Sequence, residues 1–267
     1  MKKLWLGTLV LGSLLAQEQN PLEVRLTEEG KLDKNGILVG VDLGFGFGRG
    51  SSVASSNGTQ TRISRFLTNI TNYDTKKLVV GYQKYLENLR ALGVNVKGSV
   101  GLGGFQLRHV MLADSMGWLR PTQGETIIEN YMPLTLGLEA NFLYDFYEKG
   151  KSVVGLNLGV GYEFVHGFNT GVSFDSITAA QGTILEEYKP LFGNRGINYF
   201  LLTPKLGLHY YYDHHQFGID VSFSKVLGMG EVTALEHVKH NRGDGASMFK
   251  SELSHFIAFG LNYAYRF

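Results

Sequence analysis

Side chains that could serve as a nucleophile, a base and a carboxylate occur together near residue 110. His109 and the pair Asp114–Ser115 fall within one predicted loop, and serine, histidine and a carboxylate are the residue types of a nucleophilic triad. No second histidine or aspartate follows at a triad-like spacing in this loop. We therefore expect neither an acyl-transfer site nor a protease site, and the sequence predicts a protein that is not an enzyme.

Histidines also suggest metal binding at two places. His237 and His240 have a spacing that would suit two ligands on one helical turn, whereas His214 and His215 fall in a short predicted turn. A structural zinc site needs four ligands, and no third ligand is placed nearby. The chain has no cysteine, which excludes disulfides and thiolate sites. We expect solvated loop histidines, with no metal and no other cofactor.

Two short motifs are similar to known binding motifs, one for nucleotides and one for integrins, but each has a simpler structural explanation. The segment GFGFGRG at residues 44–50 is similar to a phosphate-binding glycine loop, but it lies inside a predicted strand and opens no helix. The tripeptide RGD at residues 242–244 would suit an adhesive loop, yet a Gly-Asp-Gly turn explains it equally well. Neither motif predicts nucleotide binding or integrin binding.

Six charged residues share a different position, the small-residue face of predicted strands, each on a different strand. They are Asp42, Glu139, Glu163, Lys205, Asp220 and Arg266. If those faces line a narrow lumen, unpaired charges there would be costly. We expect Lys205 and Arg266 to neutralise some of the carboxylates in a structural network. An ion path or a proton relay is the competing interpretation.

The elements that position these residues are strands with strict alternation. From Gly36, apolar residues alternate with glycine and aspartate over about 12 residues, whereas soluble strands usually have about 5 to 6 residues and tilted membrane strands about 9 to 11. The predicted strands cover residues 36–47, 77–86, 92–107, 133–147, 153–164, 200–213, 217–225 and 256–267. This pattern predicts an all-β fold, an eight-stranded antiparallel transmembrane β-barrel of the outer-membrane type.

The connections between these strands alternate in length. Short turns are predicted at residues 87–91, 148–151 and 213–216, and long loops at residues 50–75, 108–129, 167–196 and 228–250. Outer-membrane barrels have short periplasmic turns and long extracellular loops. A soluble sandwich or lipocalin-like barrel also alternates, but the Gly, Ser, Thr and Asn faces are too small for a good soluble surface.

The bulk composition and the N-terminus agree with an exported protein. The 25 Lys+Arg and 24 Asp+Glu residues nearly balance, so nucleic acid is not an expected partner. Residues 1–16 have the basic start, apolar stretch and terminal alanine of a secretory signal peptide. We predict a signal peptide at 1–16, a periplasmic N-terminal lead at 17–35 and a barrel at 36–267.

The C-terminus carries three aromatic residues on one face of the last predicted strand. Tyr263, Tyr265 and Phe267 are two apart and resemble the signal by which bacterial outer-membrane barrels are recognised for assembly. Together with the segment at 80–105, VGYQKYLENLRALGVNVKGSVGLGGF, the ending GLNYAYRF resembles the Helicobacter outer membrane protein family. That resemblance implies contact with the barrel assembly machinery; larger members of the family include adhesins and porins.

The sequence therefore predicts a non-enzymatic protein of the cell outer membrane. Its lumen would be filled by side chains, since eight strands leave room for little else. Four long extracellular loops would serve a structural or surface-interaction role, adhesion included, with both termini periplasmic. Expected partners are outer-membrane lipid and lipopolysaccharide, the assembly machinery and a host-surface ligand. The alternative functions are a small porin-like channel and, after it, a membrane enzyme with a loop-borne site.

Overall fold

The computed structural model describes residues 32–57, 61–114, 126–175, 196–229, 234–240 and 243–267. They form strands β1 (Gly36–Asn57), β2 (Thr61–Tyr85), β3 (Leu92–Asp114), β4 (Thr126–Lys149), β5 (Ser152–Asp175), β6 (Ile197–Tyr212), β7 (His215–Met229), β8 (Ala234–His240) and β9 (Gly243–Arg266). Within these ranges no helix is long and apolar enough to cross a membrane. The predicted signal peptide and residues 17–31 of the predicted lead lie outside the described residues.

The strands pair into a closed antiparallel ring. Each of β1 to β7 pairs with its neighbour in the chain, β7 pairs with β9, and β9 pairs back with β1. β8 pairs with β9 alone, on the β9 edge that also pairs with β7 and nearer the start of β9. The ring therefore has eight strands, and the predicted all-β fold, an eight-stranded antiparallel barrel, is confirmed. We call the end with the short turns the turn end and the opposite end the loop end.

The strands are longer at the loop end than the sequence predicts. β1 continues to Asn57 and β2 begins at Thr61, so most of the predicted loop at 50–75 is paired strand. β8 likewise lies within the predicted loop at 228–250. The prediction was wrong because it relied on apolar alternation, which ends where the outward residues become polar although the hydrogen-bonded ladder continues.

The outer face of the barrel exposes large apolar side chains on every strand of the ring. Leu138 and Leu78 are 67% and 65% exposed, so no described part of the chain covers them. We call this surface the outer apolar band. Its members include Val41, Phe45, Phe47, Leu78, Val80, Val96, Leu102, Leu136, Leu138, Leu158, Val160, Leu206, Leu208, Ile219, Phe223, Phe259 and Leu261. The predicted orientation, with apolar residues outward and small or polar residues inward, is confirmed.

Side chains fill the lumen in layers. A loop-end apolar layer comprises Ile70, Tyr73, Phe105, Leu107, Tyr131, Val165, Ile197, Tyr199, Leu201, Leu253 and Phe256. A turn-end apolar layer comprises Leu32, Tyr85, Leu143, Val153 and Tyr211. Gly48 leaves room for the first layer, because a Cβ there would lie 2.8 Å from Ile70 Cδ1 and 3.2 Å from Phe256 Cδ1. The two layers enclose a charged layer between them.

Candidate functional site

Charged side chains from seven strands meet in the middle of the lumen. The mid-lumen charged layer comprises Asp42, Lys77, Lys97, Glu139, Glu163, Lys205 and Asp220. Their positions follow from the two-residue period of the strands, which turns each of them inward while its neighbours in the chain join the outer face. The layer contains four carboxylates and three lysines. It is the largest concentration of paired charge among the described side chains, and is therefore the first candidate site.

Direct ion pairs connect the lysines and glutamates of this layer. Lys205 Nζ donates to Glu139 Oε2, and Lys97 Nζ lies 3.9 Å from Glu139 Oε1. Lys77 Nζ donates to Glu163 Oε1 at 2.5 Å. Sequence reasoning placed Lys205 but overlooked Lys77 and Lys97, although their spacing from the outward residues Leu78 and Val96 would have turned both inward.

The two aspartates of the layer face a small cavity. Asp220 accepts a hydrogen bond from Asn262 Nδ2 at 3.0 Å. With Asp42, Glu163 and Lys205 it lines a cavity of about 50 Å³, which is large and polar enough to hold water. The apolar layers lie on either side of this cavity along the barrel axis. The geometry suits a hydrated pocket that stabilises the folded lumen better than it suits a passage.

Arg266 lies apart from this layer, which corrects the prediction that it neutralises mid-lumen carboxylates. Asn262 is the residue of β9 opposite Asp42, whereas Arg266 is opposite Leu38, nearer the turn end. Its Nη2 donates to the backbone oxygen of Asp213 at 2.7 Å, and its guanidinium carbon lies 5.7 Å from the ring centroid of Tyr211. Arg266 therefore ties the end of β9 to the turn between β6 and β7.

The last described residues of the predicted lead occupy the turn end of the lumen. Lys34 Nζ donates to Asp145 Oδ2 at 2.6 Å, to Glu148 Oε2 at 3.0 Å and to the backbone oxygen of Arg90 at 2.8 Å. Asp145 Oδ1 also accepts from Tyr85 Oη at 2.9 Å and lies 2.7 Å from His209 Nε2. All three donor hydrogens of the ammonium group have acceptors. The lead is thereby held across the turn end, a contact that alternation could not reveal.

A second polar cluster lies on the loop-end side of the loop-end apolar layer. His109 Nδ1 is 2.9 Å from Thr68 Oγ1 and 3.2 Å from Ser52 Oγ, and His109 Nε2 is 2.9 Å from Glu129 Oε2. Tyr131 Oη donates to Glu129 Oε1 at 3.1 Å. An imidazole that carries its hydrogen on Nε2 donates it to Glu129 and can accept at Nδ1 from one of the two hydroxyls.

This cluster contains the residue types of a nucleophilic triad, but its geometry is that of a buried structural network. Ser52, Thr68, His109 and Glu129 are each at most 4% exposed, so a substrate does not reach the hydroxyls in this arrangement. Sequence reasoning sought partners for His109 close by in the chain, in the Asp114–Ser115 pair. The actual partners come from β1, β2 and β4, and the Asp114 and Ser115 side chains lie outside the described residues.

The C-terminal aromatic residues lie at the turn end of the barrel. The Tyr265 and Phe267 rings are 4.9 Å apart between centroids, and the Phe217 and Tyr263 rings are 5.3 Å apart. Phe267 is 55% exposed, while its backbone N–H donates to Ile37 O at 2.9 Å. The final residue thus takes part in closing the ring between β9 and β1.

The glycine-rich segment, the histidine pairs and the RGD tripeptide are the remaining motifs of the sequence. The glycine-rich segment at 44–50 lies wholly within β1. His214 Nδ1 is 2.8 Å from the backbone oxygen of Arg266, and His215 Nδ1 is 2.9 Å from Tyr263 Oη. Among the residues that the structure describes, no three His, Asp or Glu side chains are grouped to hold a metal. The side chains of His237, His240 and the RGD tripeptide lie outside that part of the chain.

Comparisons with known proteins find similarity in solved structures. No protein-family model matches the sequence, and no curated protein matches it. Neisserial surface protein A matches with a TM-score of 0.32 and 9% identity, over 86% of this chain and 97% of that one. A major outer membrane protein of Thermus thermophilus matches with a TM-score of 0.40 and 14% identity, over 82% and 99% of the two chains.

The attachment invasion locus protein Ail of Yersinia pestis is a third similar structure. Its TM-score is 0.30 at 12% identity, with 86% of this chain and 98% of that chain covered. All three are bacterial surface or outer-membrane proteins by description. Matches of this size describe a general similarity of shape and say nothing about activity or ligands.

Proposed function

We propose that this protein is an integral outer-membrane β-barrel with a closed lumen, which presents its loop end at the cell surface in a structural or surface-interaction role. The observation that carries the proposal is the combination of the outer apolar band with the filled lumen. A soluble barrel would need the opposite arrangement, with its apolar residues enclosed and its polar residues outside.

The outer apolar band supports a membrane location on physical grounds. Monomeric soluble proteins rarely expose contiguous apolar patches larger than a few hundred Å². Here every strand of the ring contributes exposed leucine, valine, isoleucine or phenylalanine side chains. The closed ring also pairs the backbone groups that a lipid environment could not satisfy. Lipid is thus the environment in which this surface costs the least free energy.

The lumen supports a non-conducting barrel over the porin-like alternative. An ion that crossed would have to pass the loop-end apolar layer, in which Phe105 and Tyr131 stack with centroids 5.1 Å apart and Tyr199 stacks on Phe256 at 5.9 Å. It would then meet the paired charges of the mid-lumen layer and the Lys34 contacts at the turn end. A continuous aqueous path would need all three layers to rearrange.

The orientation in the membrane is part of the same proposal. Short turns belong on the periplasmic side of single-chain barrels and long connections outside, which puts the turn end in the periplasm. We also propose that the chain is a member of the Helicobacter outer membrane protein family, because its terminal strand and the segment at 80–105 resemble that family. A surface role of the loops, with a host-surface ligand, is an extension of that proposal.

Cell fractionation combined with heat-modifiable gel migration tests the proposal. We expect the protein in the outer-membrane fraction, with unheated and heated samples migrating differently because a folded barrel resists detergent until it is boiled. Protease added to intact cells should cut only connections at the loop end. Recovery of the protein in the soluble fraction, with no heat-dependent shift, would refute the membrane barrel.

A further inference from the structure

A line of mostly basic side chains crosses the outer face of five neighbouring strands. Lys225 of β7 is opposite His255 of β9, which is opposite Arg49 of β1. Arg49 is opposite Asn69 of β2, and Asn69 is opposite Arg108 of β3. Directly paired residues on adjacent strands are close enough for their side chains to act together. We call these four residues, Lys225, His255, Arg49 and Arg108, the basic row. Asn69 lies between Arg49 and Arg108.

The basic row borders the outer apolar band at the loop end. Its four cationic or titratable members are exposed. On β1, β7 and β9, the residues two positions closer to the turn end are Phe47, Phe223 and Ile257, and the two phenylalanines are 54% and 55% exposed. The strand period sets residues two apart on the same face. Positive charge is therefore placed immediately beside a lipid-facing apolar surface.

These positive charges are not neutralised within the described part of the chain. Arg49, Arg108 and Lys225 form no ion pair there, and none of their side chains takes part in a hydrogen bond there. The nearby outward carboxylate of Asp74 pairs with Lys76, whose Nζ lies 3.5 Å from Asp74 Oδ2. Within the described residues these three cations share one surface without an ion pair, separated only by His255 and Asn69. They repel one another, so an anion that bridges them would relieve that repulsion.

Among the described side chains, the exposed positive charge at the loop end lies on one side of the barrel. The outward residues at the loop end of β5 and β6 are instead aromatic: the Tyr162 and Phe200 rings are 5.7 Å apart, and the Phe164 and Phe200 rings are 5.2 Å apart. His166 and Phe168 continue that surface at 4.4 Å. A non-specific attraction to anionic membranes would not require such asymmetry. The basic row has the form of a localised site.

We propose that the basic row binds the phosphate groups of a phosphorylated glycolipid of the outer leaflet, lipid A, whose acyl chains lie against the neighbouring outer apolar band. Arginine binds phosphate oxygens through two parallel N–H donors, and Arg49 and Arg108 are placed to bind phosphates on either side of Asn69. This inference rests on the proposed function, because it requires the loop end to face the outer leaflet. It adds the site and the recognised chemical group to the expected contact with lipopolysaccharide.

The test measures lipid A binding to the full-length purified barrel in detergent by native mass spectrometry. It compares two triple variants that each lose three positive charges. One variant is Arg49→Gln/Arg108→Gln/Lys225→Gln. The control, Lys84→Gln/Lys149→Gln/Lys151→Gln, removes three exposed cations near the turn end. At about fivefold for each cation near an anionic lipid surface, the first variant should weaken affinity for bisphosphorylated lipid A by roughly 100-fold. The control should bind like the unmodified protein.

Three results would overturn the proposal. Equal loss in both variants would mean general charge attraction, and equal affinity for lipid A lacking both phosphates would mean that the acyl chains alone are bound. Inorganic phosphate that binds as tightly as lipid A would assign the row to a free anion. Each variant is first checked for heat-modifiable migration, so that loss of folding is not scored as loss of binding. A correctly folded outer-membrane protein without this preference would leave the proposed function intact.

Discussion

Individual charged side chains inside this barrel are stabilised by one another. Removing one partner of a buried pair leaves the other charge in a poorly solvated environment, which costs more than an exposed pair contributes. The pairs Lys205–Glu139 and Lys77–Glu163 are of this kind, with at most 16% of any of the four side chains exposed. Their role is best measured as barrel stability.

Lys205→Met should lower the free energy of unfolding by about 3 kcal/mol, the lower part of the range for breaking a buried pair, because Lys97 remains near Glu139. Denaturant-induced unfolding in detergent micelles measures this. The double variant Lys205→Met/Glu139→Gln should recover most of the loss. Lys76→Met, whose ammonium side chain is 75% exposed, should change little. A Lys205→Met barrel as stable as the unmodified one would contradict the structural role.

The buried cluster around His109 should behave as a network without nucleophilic reactivity. Glu129→Gln is expected to lower stability by about 1 to 3 kcal/mol, since it replaces the carboxyl acceptor of His109 with an amide. Incubation with a fluorophosphonate, followed by peptide mass spectrometry, should leave Ser52 and Thr68 unlabelled. Labelling of either hydroxyl that disappears in His109→Gln would instead identify a working triad.

For individual side chains, the sequence could predict which residues point into the lumen but not which of them contact one another. Asp42, Glu139, Glu163, Lys205 and Asp220 were placed in the lumen by the two-residue period alone. Arg266 obeys the same period, yet it lies at a different height along the axis. The position of a residue along the barrel axis depends on the stagger between neighbouring strands. The sequence of one strand does not determine that stagger. The pairing of His109 with residues of three other strands could not be predicted for the same reason.

At the level of strands, closure of the ring depends on how the last strand pairs with its two neighbours. β9 contributes pairs to β1 along its length and to β7 along its turn-end part, so it is the strand on which closure depends. Strand lengths at the turn end follow the apolar alternation and were predictable. At the loop end the ladder extends through polar sequence, where alternation of hydrophobicity gives no signal.

Deletion of Phe267 should reduce the amount of assembled barrel in the membrane. The deletion removes the bond from its N–H to Ile37 O and the ring contact with Tyr265. It also removes the end of the aromatic series that resembles an assembly signal. Heat-modifiable migration of the membrane fraction measures the effect. Phe146→Ala, at a residue with 54% exposure against 55% for Phe267, is the matched control. Undiminished assembly after the deletion would contradict this role of the last residue.

The lead segment at residues 32–35 should loosen when its lysine is replaced. Tyr85 N–H donates to Asn35 Oδ1 at 2.6 Å, and Gln83 Nε2 donates to Lys34 O at 2.9 Å. Lys34→Met removes the contacts with Asp145 and Glu148, so the Tyr85 amide should exchange hydrogen faster. Hydrogen exchange followed by NMR measures it, with Lys151→Met at an exposed turn as the control. Unchanged Tyr85 protection would show that the lysine does not hold the segment.

The whole molecule combines an apolar outer surface with a lumen that is filled by side chains. The closed ring and the apolar exterior could be predicted from the sequence, because alternation repeats along strands of membrane-spanning length. The layered interior could not, since Ile70 and Tyr73 of the loop-end apolar layer fall in a segment predicted as loop. Once that segment is seen to be strand, its inward residues explain why the lumen is closed.

Conductance of the purified barrel in planar lipid bilayers tests the closed lumen most directly. The sample is first shown to be folded by heat-modifiable migration, and a known porin is inserted under the same conditions as a positive control. The account predicts no stepwise current above the background of the bare membrane, for the unmodified protein and for Lys205→Ala alike. Regular single-channel steps from the unmodified barrel that change in Lys205→Ala would contradict it, and would place an ion path through the mid-lumen charged layer.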